Sequence, residues 1–312
     1  MLKLTKILLI TGGAIFALGV VVTVGGIFAI RSSAAKKTDV VYEKQEVVIT
    51  DDVSAIKIGE VSQDVEIKPS EDGEIKVEYY DADNYIHKVD VKGDTLSVEV
   101  NALSDNMQWW EMVTISQNWF NDSQSFDHPV VIYLPEGTYD SAQIDSVSGD
   151  ITLPEGYVFN DIKMDTTSGD ITSLCGSAGE IVVNTISGEV KIANCTPSDI
   201  SVNTTSGYIF FDDMTVGGNT DLDTISGEVT LTNLETKDIS VSTTSGDIIL
   251  KNLTTGTADF DTTSGEVSGT VTGDHEFDAD TVSGDIEIPS NVKGEPEFSI
   301  STVSGDITID AA

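Results

Sequence analysis

Arginine is almost missing from this 312-residue chain. Arg31 is the only one, so no cluster of guanidinium groups can form to grip phosphates. Positive charge in general is scarce, with 16 lysines and arginines against 53 aspartates and glutamates. Five of those 16, Lys3, Lys6, Arg31, Lys36 and Lys37, fall within residues 1–37, which hold no acid; the other 11 against 53 leave −42 for residues 38–312. Such a surface repels nucleic acid and anionic lipid. It favours cations, basic peptides or the cationic parts of a cell wall.

Catalytic groups are equally thin. The three histidines, His87, His128 and His275, are scattered without metal-ligand pairing, and no G-x-S-x-G elbow or phosphate-cradling loop is present. Solenoid lyases and hydrolases set lysine or arginine beside their acids, yet residues 141–312 hold only Lys163, Lys191, Lys237, Lys251 and Lys293. The expectation is that the chain is not an enzyme and carries no cofactor. Two cysteines, Cys175 and Cys195, are too few for a disulfide framework and lack metal-site spacing.

What is present is repetition. Val282-Ser283-Gly284-Asp285-Ile286-Glu287-Ile288 recurs with small changes, its glycine at Gly149, Gly169, Gly188, Gly207, Gly227, Gly246, Gly265, Gly284 and Gly305, at intervals of 19 to 21 residues. A period that regular predicts a solenoid. Seven and five positions before the glycine stand apolar pairs such as Ile162 and Met164, or Ile200 and Val202. Two and four positions after it come others, such as Val190 and Ile192, or Ile286 and Ile288. Alternation means strand, and the parity flips across the glycine as a corner requires. Glycine is expected to supply a backbone conformation that other residues avoid. The fold class is therefore all-β: a parallel β-solenoid of about nine 19–21-residue coils, with a looser return through Asn233-Leu234 and Asn252-Leu253. Cys175 and Cys195, one repeat apart, become neighbours on adjacent coils, either as buried thiols or as a bridged pair.

Four columns run along the repeat. Serine precedes every glycine, and threonine stands three before it in eight of nine coils, with Ser146 the exception. These hydroxyls are expected to pair between coils. The residue two before glycine is always β-branched, from Val147 to Val303, and reads either as an outward ribbon or as core. The residue after glycine is Asp150, Asp170, Glu189, Glu228, Asp247, Glu266, Asp285 or Asp306, with Tyr208 the exception, and a second acid stands four before it at Asp165, Asp223, Asp261 and Asp280. At about 4.8 Å in water each like-charge neighbour costs roughly 0.9 kcal/mol. Either the carboxylates accept backbone N–H bonds after the turn, or calcium bridges the eight of the first column. No known calcium-loop spacing is present.

The rest of the chain reads as two further parts. Residues 7–30 are an uncharged run long enough to cross a bilayer, so residues 1–37 are expected to be an uncleaved, single-pass membrane anchor. The flanking charges do not settle orientation. The large domain is placed outside the cytoplasm because a lone N-terminal apolar segment ahead of a soluble domain is the usual build of a bacterial signal anchor. Residues 38–140 hold a degenerate coil at Val61-Ser62-Gln63-Asp64-Val65-Glu66-Ile67, apart from the main array, then a β-meander over residues 74–100 with a turn at Lys92-Gly93-Asp94. An aromatic cluster follows, Trp109, Trp110, Trp119, Phe120 and Phe126, which either grips a partner, a glycan or the membrane face or covers the N-terminal end of the solenoid. Residues 141–312 are the array proper.

With its T-x-S-G-[DE]-[IV] coils and the Leu134-Pro135-Glu136-Gly137 entry, the chain resembles the bacterial putative-adhesin domain of unknown function with β-strand repeats, whose relatives include membrane-anchored LiaG-type and LiaX-type envelope-stress proteins. The resemblance covers roughly residues 45–312. It implies a non-catalytic, envelope-associated interaction protein with no catalytic residues to carry over. Beside it stands a structural spacer or regulatory partner of a membrane complex acting through its anchor helix. The chain stops just after the ninth corner, and its C-terminal edge is expected to self-associate or to receive a partner strand.

Overall fold

The computed structural model describes residues 42–82, 85–100, 128–174, 176–177, 179–290 and 297–311. The apolar run 7–30, the tryptophan cluster and Cys175 lie outside them. Among the described residues every element is a strand, and no helix is long and apolar enough to cross a membrane.

The two strand arrays of a parallel solenoid follow from the alternating apolar pairs. Before each corner lie β8 (Gly137–Asp145), β10 (Tyr157–Asp165), β13 (Glu180–Asn184) and β15 (Asp199–Asn203), stacked in register so that Ile144, Met164, Val183 and Val202 form one buried column. After each corner lie β9 (Ile151–Leu153), β11 (Ile171–Ser173) and β14 (Val190–Ala193), also parallel. In the middle of the stack the two arrays fuse into long strands, β16 (Ile209–Asp223), β17 (Val229–Ser242) and β18 (Ile248–Asp261), each running from one glycine corner to the next. The predicted core pairs are buried almost completely; Val190, Ile192, Val229 and Ile248 are all 0% exposed. Each such side chain contributes about 1.5–3 kcal/mol.

Glycine holds the corners for a reason other than the one expected. None of the nine has a positive φ. A Cβ on any of them would stand 1.7–2.2 Å from the carbonyl oxygen of the corner below, as on Gly169 against Gly149 or Gly227 against Gly207. Adjacent coils simply approach too closely for a side chain. Every glycine faces the same way, and the column starts on the carbonyl of Gln63. The degenerate coil therefore belongs to the stack rather than standing apart.

Chain order and spatial order differ at both ends. β2 (Ala55–Gly59) lies between β6 (Thr95–Val100) and β8, and β3 (Val65–Pro69) pairs with both β7 (Val130–Leu134) and β9. At the other end β22 (Glu297–Thr302) inserts between β18 and β20 (Glu276–Thr281). Likewise β23 (Ile307–Ala311) inserts between β19 (Val267–Thr272) and β21 (Ile286–Glu287). Gly305 accordingly sits on Gly265, and Gly284 on Gly305. The last strand is thus interior, and the outer edge belongs to β20 and β21. Ile286, predicted as core, is 43% exposed, and among the described residues no strand pairs with β21 beyond β23.

The N-terminal end is closed by antiparallel pairing. β5 (His87–Lys92) lies on β6 through the Gly93 turn, β4 (Ile75–Asp81) lies on β7, and β1 (Glu43–Ile49) lies on β4. The residues predicted as a meander thus form strands, but β4 pairs with β1 and β7 rather than with β5.

Candidate functional site

The corner hydrogen bonds decide what the polar columns do. The corner hydroxyls of Ser146, Thr166, Thr204, Thr224, Thr243 and Thr262 turn back on their own coil: Gly149 N–H donates to Ser146 Oγ at 3.0 Å, and Gly207, Gly246 and Gly265 donate to Thr204, Thr243 and Thr262 at 3.0 Å each. Thr262 and Thr302 also donate to the glycine carbonyl of the coil below, Gly246 and Gly265, at 3.2 Å. The expected threonine-to-threonine ladder is therefore a threonine-to-glycine one.

The eight carboxylates named as calcium candidates, Asp150, Asp170, Glu189, Glu228, Asp247, Glu266, Asp285 and Asp306, share one column whose backbone carbonyls link the coils, as in Ile171 N–H to Glu189 O at 2.8 Å. Asp150, Asp170, Asp247 and Asp306 among them are used by backbone, as is Asp64 in the degenerate coil. Asp64 accepts from Asp150 N–H at 2.9 Å, Asp150 from Asp170 at 2.8 Å and Asp170 from Glu189 at 2.7 Å; Asp247 and Asp306 accept from Glu266 and Asp285 at 2.8 Å each. The donor comes from the next coil, not from the turn itself. Among the described residues no three His, Cys, Asp or Glu side chains are grouped so as to hold a metal ion. The β-branched stripe faces outward, from half-buried Val147 to Val303 at 50% and Val282 at 82% exposure.

The second acid column expected at Asp223, Asp261 and Asp280 is half of a wider array, whose other half, Asp221, Asp259 and Asp278, the repeat pattern did not single out. On the outer face of the strands before the corner, Ser201, Asp221, Ser240, Asp259, Ser299 and Asp278 pair in that order. Beside them run Asn203, Asp223, Ser242, Asp261, Ser301 and Asp280. Rows of paired aspartates thus alternate with rows of paired hydroxyls. Ser301 donates to Asp261. In chain order Asp259 and Asp261 would stack directly on Asp278 and Asp280; insertion of β22 places serines between them, which separates like charges. Burial, and then a neighbouring carboxylate, raises the pKa of Asp221, Asp223 and Asp259 above the usual range. The D-x-D and S-x-S triplets that build this pattern were visible in the sequence; the inverted order that makes them alternate was not.

The histidines are structural neighbours rather than a convergent set. His87 is buried between Glu60, whose Oε2 lies 3.0 Å from Nε2, and Asp81, whose Oδ1 lies 2.9 Å from Nδ1. Burial pulls its pKa down, but the hydrogen bonds and charges of the two acids outweigh that and hold it above the ordinary value. Glu60 Oε1 meanwhile accepts the N–H of Val61 at 2.8 Å, so the group anchors the first corner of the stack. His128 stacks on Tyr80, and His275 packs against Phe277 and Phe298. Cys195 is buried, with Sγ 3.1 Å from Ala193 O.

Comparison with known proteins places this geometry in a family. No curated protein matches the chain. Solved structures that resemble it include a Bacteroides fragilis protein named a putative adhesin (15% identity, 88% of this chain and 98% of that one, TM-score 0.43). Two Parabacteroides distasonis proteins are also similar. One is named a putative lipid-binding protein (15% identity, 86% and 97%, TM-score 0.47) and the other a putative adhesin (12%, 88% and 98%, 0.47). Similarity of this degree assigns neither ligand nor activity. The Toastrack DUF4097 family model matches residues 53–218 and again 176–312, and together the two matches span the whole stack, so the chain belongs to the Toastrack DUF4097 family.

Proposed function

We propose that this protein is a non-catalytic interaction module of the cell envelope, anchored in the membrane by residues 7–30, with the solenoid on the extracytoplasmic side presenting its flat acidic face to a cationic partner. The observation that carries the reading is the alternation of Asp221/Asp223, Asp259/Asp261 and Asp278/Asp280 with serine rows on one sheet face. The alternation keeps a dense set of carboxylates tolerable without lysines to neutralise them. Beyond Lys251 the chain holds a single lysine or arginine, Lys293. A cationic peptide or wall polymer lying across the coils would meet an aspartate row at every second coil, about 9.6 Å apart.

Crosslinking on intact cells tests this reading. The native chain is expected to capture a basic envelope component, and a chain with Asp221, Asp223, Asp259 and Asp261 changed to Asn is expected to lose it. Unchanged capture would reject the face. Exchange of residues 1–37 for an unrelated anchor separates this reading from a spacer or regulator acting through its anchor helix, because function should survive the exchange only if the solenoid makes the contact. Protease shaving of intact cells that left residues 40–312 fully protected would reject the extracytoplasmic placement.

A further inference from the structure

The two ends of the stack are finished differently. Antiparallel strands cover β6 and β7 at the N-terminal end, whereas among the described residues β20 pairs only with β22 and β21 only with β23. The outermost corner repeats the geometry of the inner ones up to the point where the next layer would begin. Asp306 receives the N–H of Asp285; the Gly284 carbonyl stands where each inner glycine carbonyl meets the next glycine, and the Asp285 carboxylate where Asp150, Asp170, Asp247 and Asp306 meet the next N–H. Ile286 is 43% and Val282 82% exposed, although the counterparts of Ile286 one to several layers in, Ile307, Val267 and Ile248, are 0% exposed. The end is a half-finished coil contact, with backbone and apolar groups both prepared for one more layer.

The molecule itself shows which strand suits such a place. Asp221/Asp223 and Asp259/Asp261 have hydroxyl pairs as neighbours, Ser240/Ser242 between them and Ser299/Ser301 beyond. Asp278/Asp280 has Ser299/Ser301 on its inner side and occupies the edge. The same end of a second copy is a poor occupant, since it would set aspartate rows against one another. We propose that the β20–β21 edge docks an extended segment of another protein whose outward residues are alternating serines or threonines without carboxylates and whose intervening residues are apolar. Backbone hydrogen bonds to β20 and β21 supply the affinity; the serine row against Asp278 and Asp280 supplies the selection. This inference concerns the end of the rod and holds whether or not its acidic face binds a cationic partner.

A fluorescent peptide with the residues of positions 298–305, Phe-Ser-Ile-Ser-Thr-Val-Ser-Gly, carrying a photo-crosslinker at its N-terminus, tests the proposal on the full chain in detergent. Fluorescence anisotropy is expected to show binding about tenfold tighter than for the same peptide with Ser299→Asp and Ser301→Asp, and the advantage should shrink in the D278S/D280S protein. Crosslinks and hydrogen-exchange protection should fall within residues 276–288. Equal binding of the two peptides, no binding at about 1 mM, or crosslinks on β18 and β19, which would mean that the peptide displaces the native β22–β23 coil, would each overturn it.

Discussion

Every coil in the middle of this solenoid turns twice, and the two turns obey different physics. At the Ser-Gly corner the backbone is ordinary and space is the constraint, because a Cβ on Gly227 or Gly246 would lie 1.7 Å from the carbonyl below. At the opposite corner space is ample and conformation is the constraint. Asn194, Asp213, Asn233 and Asn252 have φ between 50 and 62°, the left-handed region that asparagine and aspartate tolerate better than most residues. Their side chains then form a ladder of their own, Asn233 donating to Asp213 at 2.7 Å and Asn252 to Asn233 at 3.0 Å. Two residues often grouped together as turn formers are thus chosen for unrelated reasons within the same coil.

Substitution should separate them. Gly227→Ala forces two layers of backbone apart in the centre of the stack and is expected to lose about 3 kcal/mol or more in denaturant unfolding. Asn233→Ala leaves the packing intact and meets the left-handed penalty of about 1–2 kcal/mol. Asn233→Gly, which tolerates that φ, should lose less than Asn233→Ala. If alanine were as harmful at position 233 as at position 227, or glycine as harmful as alanine there, the two corners would not differ as described.

The hydroxyl side of the first corner should show a smaller effect. Thr243→Val keeps the shape and removes the oxygen that accepts Gly246 N–H at 3.0 Å, so a loss of about 1–2 kcal/mol is expected by calorimetry. That contact shows how much of the corner was legible in advance. The spacing of glycine, serine and threonine revealed the coil, its two strands and the inward apolar pairs, because a strict period of 19 to 21 residues has few other physical readings. Why glycine was needed could not be read, since close approach and positive φ leave the same letter. The second corner was seen only at Asn233 and Asn252, because aspartate stands in at position 213. The inverted order at both ends was hidden because each coil fits its neighbours through the same apolar pairs. Only the like charges of Asp261 and Asp280 distinguish the orders, and they do so in favour of the one observed.

Acidity reads the carboxylates that flank the first corner. Asp145, Asp221, Asp223 and Asp259 are raised by burial first, and His87 is raised by Glu60 and Asp81 against its own burial. A raised folded pKa means stability that is fully present below the unfolded value and lost as pH climbs through the folded one. For His87 that window opens above about 6.5, and for the aspartates above about 3.9. Tm should therefore rise as the pH falls from 8 to 5. A flat or falling Tm over that range would mean that Glu60 and Asp81 do not hold the proton on His87 as the geometry indicates.

The mildest change tests whether the column beside the glycines is anything more than part of the corner. Asp247 Oδ1 already receives Glu266 N–H, and asparagine offers the same acceptor without the charge. Asp247→Asn should then alter stability by no more than about 0.5 kcal/mol, with some gain where like-charge repulsion is relieved. Millimolar calcium should move the melting temperature of the native and variant chains equally little. A calcium-dependent rise in the native protein that Asp247→Asn reduces would mean that the outer carboxylate oxygens bridge successive coils through cations. The first corner would then be held together by an ion ladder as well as by the absence of a side chain, and its contrast with the asparagine corner would lie in charge as much as in space.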